Sequence, residues 1–467
     1  MKQHFVSSRI LLPLGIAVSF SLYGDLALYT VLVTQLDKVG LSLAAVGVML
    51  SVNRLIRIPA NPLTGTLLDR WGRRRVFIFG MSLGVLTTAS YGLVRGFWPF
   101  LITRLLWGIA WTCINVGGMA MVLDVSTRSN RGRLTGIYNA WLWVGFALAP
   151  LVGGFLVDVI GFRLAMLACS GLTAIGLIVA AVALPETDQR GRESTRCEPR
   201  QALNLRHYLQ GSPRKIMNLL NRKSNLVIVS FLLLIIKFAD EGVLLSTTSL
   251  MIQQHFGSTI TLSGLTLGVA SSSGILLALR SLLAGVAGPV SGYLSDANIG
   301  RWPMIMGSLV LGMAGFSLLS YALSPIAILL GIVLSAISGG AALTILTALM
   351  GDLTPPDRAG LTMGAYATVG DVGSMAGPFL AFALLSVTDL RLIYMLCAIA
   401  FLVGLVFIGY KRLRGLLAIL IIICFLGYTA AIPKSQVTLQ LSASRHELTS
   451  SNNPNLTNII LARQQNV

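Results

Sequence analysis

Long apolar runs separated by short polar turns set the pattern of this chain. A helix needs about 20 apolar residues to cross a membrane. The runs predict such helices over 10–36, 41–67, 76–95, 97–124, 133–157 and 162–184. A polar stretch follows over 186–225. Six more helices are predicted over 226–254, 263–293, 302–322, 325–352, 360–387 and 390–410. One further apolar run, 415–432, precedes a polar tail over 433–467. The first run is too long for a cleavable leader and contains Asp25, so it is expected to remain as the first span.

Composition narrows the class. Of the 467 residues 55% are hydrophobic and 11% charged, against about 25% charged in soluble domains. Mean hydropathy is +0.79. These values exclude an ordinary soluble enzyme, a disordered chain and a secreted disulfide scaffold. The net charge of +18 would suggest nucleic-acid binding in a soluble protein. Its distribution gives another reason. With the amino terminus inside, 23 of the 35 basic residues fall in inner segments and four, Lys38, Arg95, Arg163 and Arg391, in outer loops. That bias predicts a cytoplasmic amino terminus, and no nucleic-acid partner is needed. The five cysteines include no Cys-x-x-Cys pair and the four histidines are scattered, so neither a disulfide framework nor a metal site is expected.

The chain repeats itself. Gly65-Thr-Leu-Leu-Asp69-Arg-Trp-Gly72-Arg73-Arg74-Arg75 returns as Gly292-Tyr-Leu-Ser-Asp296-Ala-Asn-Ile-Gly300-Arg301, offset 227 at the aspartates. The second copy has one extra residue before its glycine and lacks the triple arginine. Arg131 to Tyr138 matches Arg358 to Tyr366, Gly145 to Pro150 matches Gly373 to Pro378, and Asp124 matches Asp352, all offset by 227 or 228. Two halves of six spans enter the membrane from the same side. They form a parallel repeat, with a site expected between them near mid-membrane.

On these motifs residues 1–410 resemble the major facilitator superfamily, and its drug:proton antiporter-type members in particular. The resemblance implies an all-α membrane protein with two parallel six-helix repeats: 1–185, a basic linker over 186–225, and 226–410. Residues 411–432 depart from it as an extra hydrophobic helix, expected to span the membrane and put the tail 433–467 outside, the alternative being a helix that lies flat with the tail inside; Asn455 in the tail fits a glycosylation acceptor. The loop residues Gly65, Asp69, Arg70, Gly72, Arg73 and, in the second copy, Asp296 would form a cytoplasmic gate, with Asp124 partnering Arg73. Gly65 would allow close helix approach and Gly72 a turn with positive φ. Gly145, Pro150, Gly153 and Gly154 resemble the antiporter signature, with Ala149 where a glycine is usual. They also fit ordinary small-residue packing. Pro185-Glu186-Thr187 resembles a family boundary pattern that ends the sixth span.

Intramembrane charges mark the candidate site, because they are costly in lipid and usually face a cavity. In this fold spans one, four, seven and ten line that cavity. Asp25, Asp240 and Glu241 are candidates for proton carriage or cation recognition. Lys237 stands four residues before Glu241 and shares its helix face. Arg104 matches the family's Arg-x3-Gly position linked to proton coupling; it and Asp25 fall in the outer half of the bilayer, and the sequence leaves their contact open. Asn115 and Trp111 lie deeper on the same span. Asp371 is a weaker candidate. Arg54, Arg57 and Arg280 are open between snorkelling, pairing and substrate contact.

No phosphate-binding Gly-x4-Gly-Lys-Ser/Thr loop and no catalytic motif is present, so neither an ATP-driven pump nor an enzyme is expected, and no cofactor is implied. The expectation is a monomeric, multi-pass plasma-membrane transporter, bacterial inner membrane if prokaryotic. It would couple protons to export of small amphipathic molecules. The alternatives are a symporter or facilitator for sugars or organic acids, and a non-transporting sensor or assembly factor on the same fold.

Overall fold

Among the described residues the apolar runs form helices. The computed structural model describes residues 2–126, 130–187, 224–257, 259–262, 265–321, 324–354 and 359–412. The polar linker's core, the extra apolar run and the tail with Asn455 lie outside them. The chain divides into Met1–Phe407 and Ile408–Val467, and the packing below belongs to the first unit.

In the first half, α1 (Lys2–Val31) continues through a 3₁₀ turn into the short α2 (Leu36–Val39). Then follow α3 (Leu43–Leu55), α4 (Arg57–Trp71), α5 (Arg73–Leu93), α6 (Phe97–Val125), α7 (Arg131–Ile160) and α8 (Phe162–Ala183). The second half opens with α9 (Ser224–Ile236), a π-helical turn over Lys237–Leu244, and α10 (Leu245–Phe256). A hairpin of β1 (Thr259–Leu262) and β2 (Leu265–Gly268) leads to α11 (Val269–Leu294) and a second π turn, Ser295–Ile299. The half ends with α12 (Arg301–Tyr321), α13 (Pro325–Leu353), α14 (Ala359–Leu384) and α15 (Leu390–Arg412).

Among the described residues eleven helices are long and apolar enough to cross a membrane. The seventh apolar stretch is helical throughout, but its π turn separates two shorter α-helices, Ser224–Ile236 and Leu245–Phe256. Thirteen α-helical residues rise about 20 Å, so only α9, the π turn and α10 together would reach across. The start expected at 263 for the eighth span is corrected. Residues 265–268 pair with 259–262 in an antiparallel hairpin, and the helix begins at Val269. An apolar strand and an apolar helix start look alike when neither alternates with polar residues.

Within the first half α1 packs on α7 and α8, and α5 on α6 and α8. Between the halves α7 lies along α11, and α3 along α14. Exchanging the halves converts one of these interfaces into the other, as a parallel repeat requires. Large apolar side chains such as Leu86, Trp98, Ile178 and Val182 are exposed on the outside, where lipid would cover them.

Candidate functional site

The polar side chains of the candidate site stand on helices whose remaining faces are apolar, so each charge must find its partner inside the bundle. Asp25, in the last third of α1 and near the middle of the apolar span Ile10–Val39, receives Nη1 of Arg104 from α6 at 2.5 Å. Arg104 is fully buried. Its Nε donates to the Met49 carbonyl at 2.8 Å and its Nη1 also reaches the Tyr91 hydroxyl at 3.2 Å. Its guanidinium lies 5.6 Å and 5.8 Å from the ring centres of Tyr29 and Tyr91. Asn53 Nδ2 donates to the same Asp25 oxygen at 3.4 Å. The contact that the sequence leaves open is therefore made, and it fixes Asp25 at a cavity wall.

The π turn of the seventh stretch carries three charges, and its two neighbouring carboxylates face different partners. Asp240 faces away from the cavity, against the buried Arg280 of α11. Glu241 is paired with Lys237, as their spacing predicts. It also meets Arg54 Nη1 of α3 at 3.4 Å, and Arg54 Nη2 donates to the Glu241 carbonyl at 3.4 Å. Below it Arg57 faces Asp371 of α14 at 3.8 Å. Arg54 and Arg57, left open by the sequence, thus pair across the two halves. The missed signal was the balance of intramembrane charge. The first half holds Arg54, Arg57 and Arg104 against Asp25, while the second holds Asp240, Glu241 and Asp371 against Lys237 and Arg280. Each half carries the counter-charges that the other lacks.

These residues surround a central cavity of about 560 Å³. Asp25, Arg54, Arg57, Trp111, Asn115 and Glu241 lie on its wall, with Lys237 and Asp371. A contiguous space of about 810 Å³ shares Arg57, Trp111, Asn115, Lys237 and Asp371 and runs past Asn61 and Met363, toward the end of the bundle that carries Asp69. Asp240 and Arg104 stand behind the wall. The expectation that Asp240 lines the cavity is corrected, because Arg280 holds it on the far side of the helix.

Polar contacts join the halves from mid-membrane to the opposite end. Ser51 Oγ donates to the Met375 carbonyl at 2.7 Å, and Ser249 Oγ donates to the Thr30 carbonyl. Asp158 of α7 accepts the Ser271 backbone N–H at 2.7 Å, capping the first turn of α11 from the other half. Of the antiporter-like glycines, Gly154 belongs to this closure and leaves no room for a Cβ against the Ala270 carbonyl, while Gly145 and Gly153 bring α7 close to α1 within the first half, at Leu22 and Ala27. Pro150 lies within α7, and its carbonyl packs where Gly274 of α11 lacks a side chain.

At the Asp69 end each half ties its own loop. Gly72 turns the chain at φ +87°, so α5 starts directly after α4. Arg73 Nη1 meets Asp69 at 3.0 Å, and its Nε meets Asp124 at 3.3 Å. Arg70 is exposed. Glu186 does more than follow the sixth span: its Oε1 accepts the backbone N–H groups of Arg73 and Arg74 at 2.9 Å and 3.2 Å, holding the start of α5. The second half repeats the triad, with Arg301 bound to Asp296 at 3.2 Å and Asp352 at 2.5 Å. Close helix approach at Gly65 is corrected for this conformation: a Cβ there would meet nothing within 4 Å, because the cavity reaches toward this end.

Comparison with known proteins agrees with this architecture. The model of the Major Facilitator Superfamily matches residues 14–279 and 231–415. The chain belongs to the Major Facilitator Superfamily. The chain is similar to Multidrug resistance protein 1 of Bacillus subtilis, 26% identical over 33% of this chain and 40% of that protein. Tetracycline resistance protein, class C, of Escherichia coli is 24% identical over 72% of this chain and 79% of that protein. Among solved structures, the nucleoside transporter NupG superposes with a TM-score of 0.66 at 15% identity, covering 86% of this chain and 99% of that one. The human organic anion transporter MFSD10 superposes with a TM-score of 0.60 at 18% identity, over 86% and 99%. Family and fold are therefore those of membrane transporters.

Proposed function

We propose that this chain is a secondary active transporter that exports small amphipathic molecules in exchange for protons by rocker-switch alternating access. The observation that carries the reading is Asp25, held by a fully buried Arg104 at the wall of a cavity between the halves. Protonating Asp25 removes the counter-ion of a buried cation, so a proton biases a two-state element at the transport site. Glu241 offers a second such carboxylate, tied to both halves at once. The basic-residue bias assigns the Asp69 end to the cytoplasm. The cavity then faces inward, where an exporter loads. The curated relatives named for multidrug and tetracycline resistance support export of amphipathic molecules. The expected setting is the plasma membrane, with the chain acting as a monomer.

Purified protein in liposomes with a trapped pH-sensitive dye tests this reading. Candidate substrates are screened under imposed pH gradients of each sign. Export in exchange predicts substrate-dependent proton movement opposite to substrate flux. Co-directional movement would replace the reading by a symporter. Absence of substrate-dependent flux across a broad screen would leave the sensor reading.

A further inference from the structure

The central cavity holds an excess of positive charge that its own residues do not neutralise. Asp25 is committed to Arg104 and Asn53. Glu241 is committed to Lys237 and Arg54. Of the cavity-lining groups beyond Asp25, three are cations, Arg54, Arg57 and Lys237, and two are carboxylates, Glu241 and Asp371. The surplus arises because Glu241 serves two cations, and of the three Arg57 is the one held most loosely. Its ion-pair partner, Asp371, stands at 3.8 Å, too far for a hydrogen bond. Its Nε is buried with no hydrogen-bond partner among the described residues. Arg57 also lies on the wall of both the central cavity and the space leading to the Asp69 end, so an entering molecule meets it on the way in.

The surroundings define what would bind there. A guanidinium offers a planar fork of donors that matches a carboxylate or sulfonate. Trp111, Trp143 and Phe146 supply aromatic surface, and Leu22 and Leu26 add aliphatic surface. Asn115, Asn139 and Thr347 add neutral hydrogen-bonding groups. About 560 Å³ falls within the ~300–1,000 Å³ of small-molecule sites. A cationic ligand would add to the unneutralised charge, and a neutral one would leave the Arg57 donors unfilled.

We infer that the cavity recognises small aromatic molecules bearing one anionic group, a carboxylate or sulfonate, with Arg57 as the anion receptor and Asp371 as the internal counter-ion that the ligand displaces. This rests on the reading of the cavity as the transport site and is independent of the coupling ion. Export of such an anion is also favoured by an inside-negative membrane potential.

Three probes of one scaffold test it at pH 7.5: 1-naphthaleneacetate, its methyl ester, and 1-naphthylethylammonium. Binding to the purified full chain is read by quenching of tryptophan fluorescence, and flux is read in liposomes. The acid is expected to bind at least tenfold tighter than the ammonium. Arg57→Gln should weaken the acid at least tenfold and leave the ester unchanged, and Arg57→Lys should restore only part of the loss. Asp371→Asn should tighten the acid several-fold, a gain that misfolding does not produce. Equal or tighter binding of the ammonium, an acid affinity indifferent to Arg57→Gln, or no gain in Asp371→Asn overturns the inference while the transport cavity stands. Neither binding nor flux of any probe overturns both.

Discussion

Arg54 of the first half and Glu241 of the second meet at 3.4 Å on the wall of the central cavity, so the pair spans the plane along which the halves separate. Lys237 and Tyr29 hold its two members from behind, through the Lys237–Glu241 ion pair and a 3.3 Å bond from Arg54 Nε to the Tyr29 hydroxyl. A cross-half ion pair stabilises whichever conformation makes it, and the structure shows it made when the cavity reaches toward the Asp69 end.

Removing this pair is therefore expected to favour the opposite conformation. A loss of about 1–2 kcal/mol shifts a two-state ratio about 5–30-fold. Glu241→Gln and Arg54→Gln should each lengthen the distance between spin labels at Lys38→Cys and Gln254→Cys, both exposed at the far end. The double variant should be no further shifted than the stronger single one, since both remove one interaction. Additive shifts, or none, would show that the pair does not hold this state.

Asp25→Asn should abolish proton-driven transport while expression is retained. Asparagine keeps an acceptor for Arg104 but cannot carry the proton. Arg104 retains its bonds to the Met49 carbonyl and Tyr91 hydroxyl, so part of its support survives. Substrate exchange without a pH gradient should continue at a measurable rate. Unchanged proton-driven flux in liposomes would remove Asp25 from the mechanism.

Asp158 caps α11 from the other half through the 2.7 Å bond to the Ser271 N–H. A carboxylate at a helix amino terminus contributes about 0.5–2 kcal/mol. Asp158→Ala is expected to open that end, shown by a severalfold faster reaction of an engineered Ser273→Cys, buried at present, with a membrane-impermeant maleimide. Asp158→Asn should lie between the two, because its oxygen still accepts the bond without the charge. An unchanged reaction rate in Asp158→Ala would exclude a latch there.

The elements are legible because a span is a run of neighbours, and Lys237 with Glu241 because they stand four residues apart. The Asp69–Arg73–Asp124 set is legible through the family resemblance, since Asp124 lies 51 residues from Arg73. The pairing of Arg54 with Glu241 joins residues from different repeats, which no motif records; only the complementary surplus of charge in the two halves hinted at it. Asp240 is a candidate in the sequence because the seventh span lines the cavity in this fold; its side is set by Arg280 on another helix. The π turn leaves no break in the apolar pattern either. Gly65 was read as a packing glycine, a role that this conformation does not use.

The two π turns offer the most direct separation of fold from function. The second copy of the loop motif has one residue more between Asp296 and Gly300 than the first has between Asp69 and Gly72. The structure absorbs it as the π turn Ser295–Ile299, so that Arg301 still reaches both Asp296 and Asp352. Deleting Ala297 should close that turn to an α-helix and restore the spacing of the first copy, with transport within about twofold of the parent and a melting temperature unchanged or raised, since the first copy makes the same triad at that spacing without a π turn. Deleting Phe238 makes the same change in the turn Lys237–Leu244 and leaves α10 in register. There it moves Glu241 relative to both Lys237 and Arg54. The protein should fold, by its elution volume and melting temperature, yet transport at least a hundredfold more slowly. Equal activity of the two deletion variants would show that the π turn of the seventh stretch has no part in the transport site.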